Sequence, residues 1–358
     1  MKNKLIVVLG MHRSGTSAIA RGIRTLGCEF GDTLWPANVS NRKGFYENIE
    51  ITKFNDELLR LLGVEWHSVA QIPAERFNSP NLDSLRDQAK EILNRHFGKS
   101  PLSGFKCLRI CRLLPFWQRV FSEMKIKESY VIAIRNPLSI AESLDARNGF
   151  SHEKSFLLWL LHILPVIKYT NGLPRVVVDY DIMMDNPISQ LKRIAGMLAI
   201  EIDPAQEPAL NEFATSFLEE NLRHTRFTLD DMTAETCLLK LTRQAYSLLL
   251  NIAGDEGAFD DIFDENWQKI EHTYEHDDSI ANLTGILNKC DRQIIKLMKI
   301  VAERGEQLSE LTHAIACRDE QIAALTKIAE DCKQTFLHKL FRFLKLRRIQ
   351  KNETAKKD

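Results

Sequence analysis

The residues with the clearest chemistry lie near the amino terminus, where an apolar run meets a polar turn bounded by glycines. The segment Leu5-Ile-Val-Val-Leu-Gly-Met-His-Arg-Ser-Gly-Thr-Ser17 predicts a strand, a loop and the start of a helix. Glycines let such a loop approach an anion, while backbone N–H groups and the positive helix end face it. We therefore predict an oxyanion site formed by Arg13, Ser14, Gly15, Thr16 and Ser17.

This loop differs from a nucleoside-triphosphate loop in its charge. The spacing of Gly10 and Gly15 is that of a Walker A loop, but Thr16 stands where that loop requires lysine. Arg13 supplies positive charge from inside the loop instead. A turn without a ligand is the alternative, but it does not explain why Arg13 occurs together with the hydroxyl side chains of Ser14, Thr16 and Ser17.

A second polar turn follows the apolar run of residues 131–134. Arg135 ends this run, and Ser143 lies about two helical turns further on. An arginine fork beside a hydroxyl suits a phosphate monoester. The chain thus carries two candidate anion sites, each placed where a strand meets a helix.

Together, the two turns resemble the motifs of sulfotransferases that use PAPS (3′-phosphoadenylyl sulfate). The resemblance extends through segments 43–48, 104–106, 113–117 and 176–180, is nearest to the bacterial branch of the family, and covers about residues 1–235. It implies that the first loop grips the 5′-phosphosulfate of PAPS. It further implies that Arg135 and Ser143 hold the 3′-phosphate and that Tyr180 lies near the adenine.

The same resemblance extends to the catalytic strand and then breaks. Lys106 matches a lysine that helps to stabilise the transferring group. Cytosolic members have a histidine two residues later and many bacterial ones read Lys-Asp-Pro-Arg, whereas this chain has Lys106-Cys107-Leu108-Arg109.

Arg223 lies in a late basic segment, which in the family either closes over the nucleotide or touches an anionic acceptor. An exposed surface loop is the alternative for Arg223.

Sulfuryl transfer needs a base for the acceptor hydroxyl and positive charge on the leaving oxygen. Arg13 would neutralise the leaving phosphate. We expect no metal requirement, because a sulfuryl group carries less negative charge than a phosphoryl group. Glu47 is the first candidate for the base and His12 the second. A glutamate at a helix N-terminus and a hydrogen-bonding loop histidine are the structural alternatives.

Composition indicates a cytoplasmic globular enzyme with an appendage. The 358 residues are 44% hydrophobic and have 48 basic and 48 acidic side chains, so overall charge gives no attraction to nucleic acid. The seven cysteines lack zinc-site spacing and are interpreted as reduced thiols. We identify no signal peptide and no apolar run of membrane-spanning length.

Apolar runs at 5–9, 102–106, 129–135 and 174–179 predict strands that alternate with helices. The helices are expected near 16–27, 49–62, 82–97, 111–122, 138–147, 153–169 and 187–199. This alternation predicts an α/β fold with a P-loop-like parallel sheet flanked by helices, which is followed by a long C-terminal coiled-coil helix. The predicted domains are 1–235 (sulfotransferase-like), 236–286 (helical connection), 287–335 (coiled coil) and 336–358 (basic amphipathic tail).

A heptad repeat supports the coiled coil. Apolar residues recur every seventh position from Ile294 to Ala329, with leucines at 297, 311 and 325 on the companion position. Arg304 and Arg318 interrupt that position and could fix register or oligomer number. Self-association into a homo-oligomer is favoured, and folding back of the helix onto its own domain is the alternative.

Residues 336–351 contain six Lys or Arg and no acid, with apolar side chains at 337, 340, 341 and 344 on one helical face. This pattern is typical of an interfacial helix on anionic lipid, and a solvated terminus or a partner-docking helix is equally compatible. We therefore predict a PAPS-dependent sulfotransferase that modifies a hydroxyl of a carbohydrate or cell-surface polysaccharide precursor. If the tail binds lipid, the enzyme works at the inner face of the membrane. The alternatives are a P-loop nucleotide kinase and a non-catalytic coiled-coil scaffold.

Overall fold

The computed structural model describes residues 4–37, 41, 43–97, 100–219, 225–233 and 236–354. Within these residues, one parallel sheet contains strands β1 (Lys4–Gly10), β2 (Leu102–Lys106), β3 (Lys127–Ile134) and β4 (Arg175–Asp179). The strands lie side by side in the order β2-β1-β3-β4. The predicted strands and the parallel α/β class are confirmed.

The α-helices of the described residues alternate with the strands along the first half of the chain. They are α1 (Thr16–Arg24), α2 (Ile49–Leu61), α3 (Asp83–Phe97), α4 (Ile110–Glu123), α5 (Pro137–Asn148), α6 (His152–Tyr169), α7 (Tyr180–Asp185), α8 (Pro187–Met197), α9 (Glu207–Glu212), α10 (Cys237–Ala253), α11 (Asp261–His276) and α12 (Asp278–Thr354). Short 3₁₀ turns span Ala74–Asn78, Pro80–Leu82 and Pro204–Gln206, and a π-helical turn spans Phe213–Phe217.

The sheet is covered on both faces, which is why its strands read as continuous apolar runs. In β1, Leu5, Val7 and Leu9 belong to a core that contains side chains of α2 to α6, α10 and α11. Ile6 and Val8 point the other way, into a second core with side chains of α1 and α8. Every residue from Leu5 to Gly10 is buried, so the strand holds the loop that follows it firmly in place.

The register of the sheet brings four strand ends to one edge. Val8 is paired with Lys106, Gly10 with Ala133, and Ile134 with Asp179. The loops after parallel strands share one edge of a sheet, and ligands bind there in open α/β folds. The predicted site residues that follow these strands are therefore neighbours.

The chain divides into two compact units, Met1–Lys289 and Cys290–Asp358. The second unit is helical through the part of α12 that extends to Thr354. Among the described residues, no helix combines the length and the apolar character needed to cross a bilayer.

Candidate active site

The loop between β1 and α1 turns sharply at three positions. Gly10, Arg13 and Gly15 have φ angles of 151°, 70° and 74°. A Cβ atom on Gly10 would lie 2.6 Å from the carbonyl oxygen of Ala133, so only glycine lets the loop pass this close to β3. Thr16 and Ser17 open α1, and their first-turn N–H groups give the cleft a positive helix end.

Tyr180 packs directly against this loop. A Cβ atom on Gly15 would lie 2.0 Å from Cδ2 of Tyr180, so the glycine allows the ring to rest on the backbone. The guanidinium carbon of Arg135 lies 4.8 Å from the centre of the same ring. The tyrosine ring therefore lies close to both the β1 loop and the arginine that follows β3.

The two loop arginines are held close together. Arg13 donates from Nε to Oγ of Ser143 at 2.6 Å, and Arg135 donates to the carbonyl oxygen of Arg13 at 3.4 Å. Burial, and then the charge of Arg135, lower the pKa of Arg13. Two guanidinium groups packed this closely favour an anionic ligand. Ser143 supports Arg13 in this arrangement, and Ser14 is fully buried within the loop.

A later segment lies against Arg135. Arg135 donates to the carbonyl oxygen of Thr225 at 2.7 Å, and the Asn136 amide donates to the carbonyl oxygens of Phe227 and Thr228 at 3.1 and 2.9 Å. Asn136 also caps α5 by accepting from the N–H of Leu138. Arg223 itself lies outside the described residues.

Lys106 is the centre of a buried polar network at the end of β2. Its Nζ lies 2.8 Å from Oε1 of Glu47, 2.6 Å from the carbonyl oxygen of Phe45 and 3.2 Å from Oγ of Ser17. Lys106 is 2% exposed and Glu47 5%. Glu47 directly precedes Asn48, which caps α2, so the cap fixes the point at which the carboxylate enters the network.

Arg109 extends this network along the cleft. Its Nε donates to Asp56 at 2.6 Å, and its NH1 lies 3.8 Å from Oε2 of Glu47. Each oxygen of Glu47 therefore faces a different cation. Arg109 and Asp56 were not predicted as site residues, although Arg109 stands three positions after the end of β2, at the edge where ligands bind.

His12 lies on a different wall of the cleft. Its ring centre is 4.3 Å from that of Trp66 and 6.3 Å from that of His162. Burial, together with nearby cations and His162, lowers the pKa of His12 well below the ordinary histidine value. Its imidazole is therefore neutral at neutral pH. Among the described residues, Nε2 of His12 has no hydrogen-bond partner.

These groups line one cleft of about 860 Å³. Among the described residues, six cationic side chains line it, against the three carboxylates Glu47, Asp56 and Glu219, which leaves three positive charges in excess. The six cations are Arg13, Lys43, Lys106, Arg109, Arg135 and Arg147. The cleft is therefore built for a ligand with several negative charges.

An aromatic wall closes the end of the cleft beside His12. Trp66 is half-buried there, 5.9 Å from the ring of Phe150, and the guanidinium carbon of Arg147 lies 5.6 Å from the Trp66 ring. Arg147 has no carboxylate within 4 Å among the described residues. Desolvation and the charge of Arg13 lower the pKa of Arg147 to about 10, so it remains a cation at neutral pH.

The cysteines beside the site are structural. Cys107 and Cys111 are buried, and Sγ of Cys111 lies 3.1 Å from the backbone nitrogen of Gly10. Burial raises the pKa of both thiols. In the part of the chain that the structure describes, no group of three His, Cys, Asp or Glu side chains is arranged to hold a metal ion.

No protein-family model and no curated protein matches the chain. Among solved structures, it is similar to the sulfotransferase domain of the olefin synthase from Synechococcus PCC 7002, with 12% identity, a TM-score of 0.40, and coverage of 69% of this chain and 96% of that one. It is also similar to mouse sulfotransferase SULT7A1, determined in complex with PAP, with 13% identity, a TM-score of 0.34, and coverage of 80% and 88%. Likeness of this degree does not identify a function for this chain.

Proposed function

We propose that the protein transfers a sulfuryl group from PAPS to an acceptor hydroxyl. The observation that carries this proposal is the convergence of two cationic turns, at Arg13 and Arg135, on the ring of Tyr180 in a single cleft. A nucleotide with phosphate groups on both its 5′ and 3′ positions presents two anions on one ribose, which also carries an aromatic base. Two arginines and a tyrosine ring in one cleft match these groups in charge and in aromatic character.

Each residue of the cleft would have a separate role in the reaction. Arg13 and the N-terminus of α1 would hold the 5′-phosphosulfate, and Arg135 the 3′-phosphate. Bound PAPS supplies an activated sulfuryl group. Glu47 would take the proton of the acceptor hydroxyl as the new oxygen–sulfur bond forms and the bond to the 5′-phosphate breaks, while Lys106 stabilises the leaving oxygen.

Glu47 is proposed as the base because Lys106 connects it to the anion loop. The lysine contacts both the carboxylate and Ser17, so the proposed base lies one side chain away from the proposed position of the phosphosulfate. His12 is the second candidate, since it lines the cleft and its imidazole is neutral.

We further propose that the acceptor is a carbohydrate, such as a precursor of a cell-surface polysaccharide in the cytoplasm. Trp66 offers a flat apolar surface in the cleft, and Asp56, Arg109 and Asn148 add polar groups around it. Because Arg147 has no carboxylate partner among the described residues, we expect an acidic sugar to bind better than a neutral one. Comparison of p-nitrophenyl glucuronide with p-nitrophenyl glucoside as acceptors tests this preference, which Arg147→Gln should remove.

The decisive experiment is calorimetric titration with 3′,5′-ADP (PAP) and with ATP, each with and without Mg²⁺. We expect PAP to bind without the metal and more tightly than ATP. An arginine–phosphate contact contributes about 1.5–3 kcal/mol, so Arg135→Ala should weaken PAP binding roughly ten- to a hundredfold. Arg119→Ala, which removes an exposed arginine from α4, is the matched control and should leave the affinity unchanged.

Three other outcomes of the titrations would contradict all or part of this proposal. A preference for ATP with Mg²⁺ would contradict the proposal and favour a nucleotide kinase. Absence of any nucleotide binding would favour the non-catalytic scaffold. Tight PAP binding that does not depend on Arg135 would reject the proposed position of the 3′-phosphate.

A further inference from the structure

The helix α12 carries an apolar seam that is independent of the cleft. Between Ile294 and Phe343, the a positions of a heptad repeat hold apolar side chains, and leucines occupy three of the intervening d positions. The larger apolar side chains of this seam are between 48% and 70% exposed: Ile294, Leu297, Val301, Leu308, Leu311, Ile315, Ile322, Leu325, Phe336 and Phe343. At a rise of 1.5 Å per residue, the seam is about 75 Å long.

Cationic residues interrupt the seam at some of its d positions. Position d holds Arg304 and Arg318, fourteen residues apart, and each is followed three residues later by glutamine. Arg304 donates to the side chain of Gln307 at 3.0 Å, so the helix itself satisfies part of the guanidinium. A partner helix must accept the two arginines in its interface, fourteen residues apart, and also Lys339 at the d position 21 residues after Arg318. A second copy of this chain in register carries polar layers at the same three positions.

We infer that α12 pairs with α12 of a second copy of this chain as a parallel coiled coil in register. In that arrangement a d side chain contacts the d and e residues of the partner helix. The e residue after Arg318 is Asp319, which offers a carboxylate to the arginine of the other copy. The e residue after Arg304 is Gly305, which leaves room for the arginine of the other copy to reach water.

Glycine is a poorer helix former than alanine, so the presence of Gly305 beside Arg304 calls for an explanation. Nothing lies within 4 Å of a Cβ atom placed on Gly305, so contacts within the chain do not explain the glycine. A need for space beside a long polar side chain of the partner helix does explain it. The two arginine layers lower the stability of the pair and, in return, disfavour other registers and partners.

Cysteines already present in α12 report the register. Cys290 and Cys332 occupy d positions, whereas Cys317 occupies a c position that faces away from the seam, and all three are exposed. In a parallel pair in register, each d cysteine lies opposite the same cysteine of the other chain. In an antiparallel pair, d residues face a residues, and no a position of the seam holds a cysteine.

The test uses the full chain with only one of these three cysteines retained and the other two changed to serine. Mild oxidation should cross-link the chain that retains Cys332, and the chain that retains Cys290, at least about tenfold faster than the control that retains Cys317, because pairing raises the local thiol concentration into the millimolar range. Equal rates for all three would overturn the inference. A dimeric chain that cross-links no faster through either d cysteine than through Cys317 would indicate an antiparallel or shifted pair and overturn the register.

Sedimentation equilibrium supplies the second readout. We expect a dimer that Ile315→Asp dissociates, because the substitution buries a charge in the seam. Ala316→Asp makes the same chemical change one residue further on, at an outward-facing b position, and should leave the dimer intact. A monomer at micromolar concentration would overturn the inference. Neither readout involves PAP, so failure here is distinguishable from failure of the proposed function.

Discussion

At the scale of single residues, the buried pair of Lys106 and Glu47 places opposite charges next to the anion loop. A buried ion pair contributes little net stability, because desolvation of both groups offsets their attraction. The pair fits the proposed chemistry, in which the lysine would stabilise the leaving oxygen and the carboxylate would take the proton of the acceptor.

Replacement of Glu47 by glutamine tests the role of the carboxylate. Glutamine keeps an acceptor for Lys106 but cannot take a proton at neutral pH, so we expect kcat to fall about 10²- to 10⁴-fold while PAP affinity changes little. Glu50→Gln, three residues later at the exposed start of α2, is the control and should retain activity. If kcat survives in Glu47→Gln and is lost in His12→Asn, the imidazole is the base.

The buried imidazole of His162 leads to a prediction about pH and stability. Burial lowers the pKa of His162 to about 3, whereas an unfolded histidine titrates near 6.5. Below pH 6.5 the unfolded chain therefore binds a proton that the folded chain does not, and stability falls as the pH falls. Between pH 7.5 and 5, this one histidine should cost about 2 kcal/mol of unfolding free energy.

Urea unfolding of the wild type and of His162→Leu at these two pH values measures that effect. The variant should lose about 2 kcal/mol less than the wild type between pH 7.5 and 5. Asp179 acts in the opposite direction, since burial raises its pKa to about 6, but it is present in both proteins and cancels in the difference. Identical pH dependence in the two proteins would show that His162 is protonated in the folded chain.

At the scale of elements, the turn from β1 into α1 depends on close contact between Gly15 and Tyr180. Gly15→Ala should displace the tyrosine ring and weaken PAP binding about tenfold or more, which corresponds to at least 1.4 kcal/mol. Gly149→Ala is the matched control, since Gly149 also has a positive φ, of 65°, but nothing lies within 4 Å of a Cβ atom there. Both substitutions should cost about 1–2 kcal/mol of stability for the left-handed backbone.

Calorimetry with PAP and urea unfolding separate these two effects. Equal loss of PAP affinity in the two variants would mean that backbone strain, rather than the ring contact, governs the loop. If only Gly15→Ala loses affinity, the packing of Tyr180 on the loop is part of the nucleotide site.

The sequence predicted the elements because local pattern decides them. Strands buried on both faces give uninterrupted apolar runs, so the bounds of β1 to β4 were predicted to within two residues. Contacts between distant segments leave no such pattern. The hydrogen bonds of Asn136 to residues 227–228 and the packing of Trp66 on His12 join segments far apart in sequence, and neither could be predicted from spacing.

At the scale of the whole molecule, α12 carries two apolar faces that point in different directions. The seam follows the a and d positions. Among residues 336–345 a second face appears, formed by Leu337, Leu340, Phe341 and Leu344, which occupy b, e and f positions. These side chains are between 42% and 72% exposed. A partner on the seam would leave most of this second face uncovered, and the surrounding Lys and Arg residues suit an anionic lipid surface.

We therefore expect the full chain to bind vesicles that contain phosphatidylserine but not vesicles of neutral phosphatidylcholine. Binding should weaken as salt is raised, since each basic residue near the surface contributes about 1 kcal/mol through a screened attraction. Phe341→Asp should reduce binding because it places a charge on the apolar face. Thr335→Asp adds the same charge on the opposite side of the helix and serves as the control.

The seam and the tail are expected to act together. A parallel pair brings two basic tails to the same end of the coiled coil, so attachment of one tail raises the effective concentration of the other at the membrane. Ile315→Asp, which lies far from the tail, should therefore weaken vesicle binding, and Ala316→Asp should not. Vesicle co-sedimentation of these two variants measures the coupling. If both bind as tightly as the wild type, each tail attaches alone and the coiled coil serves another purpose.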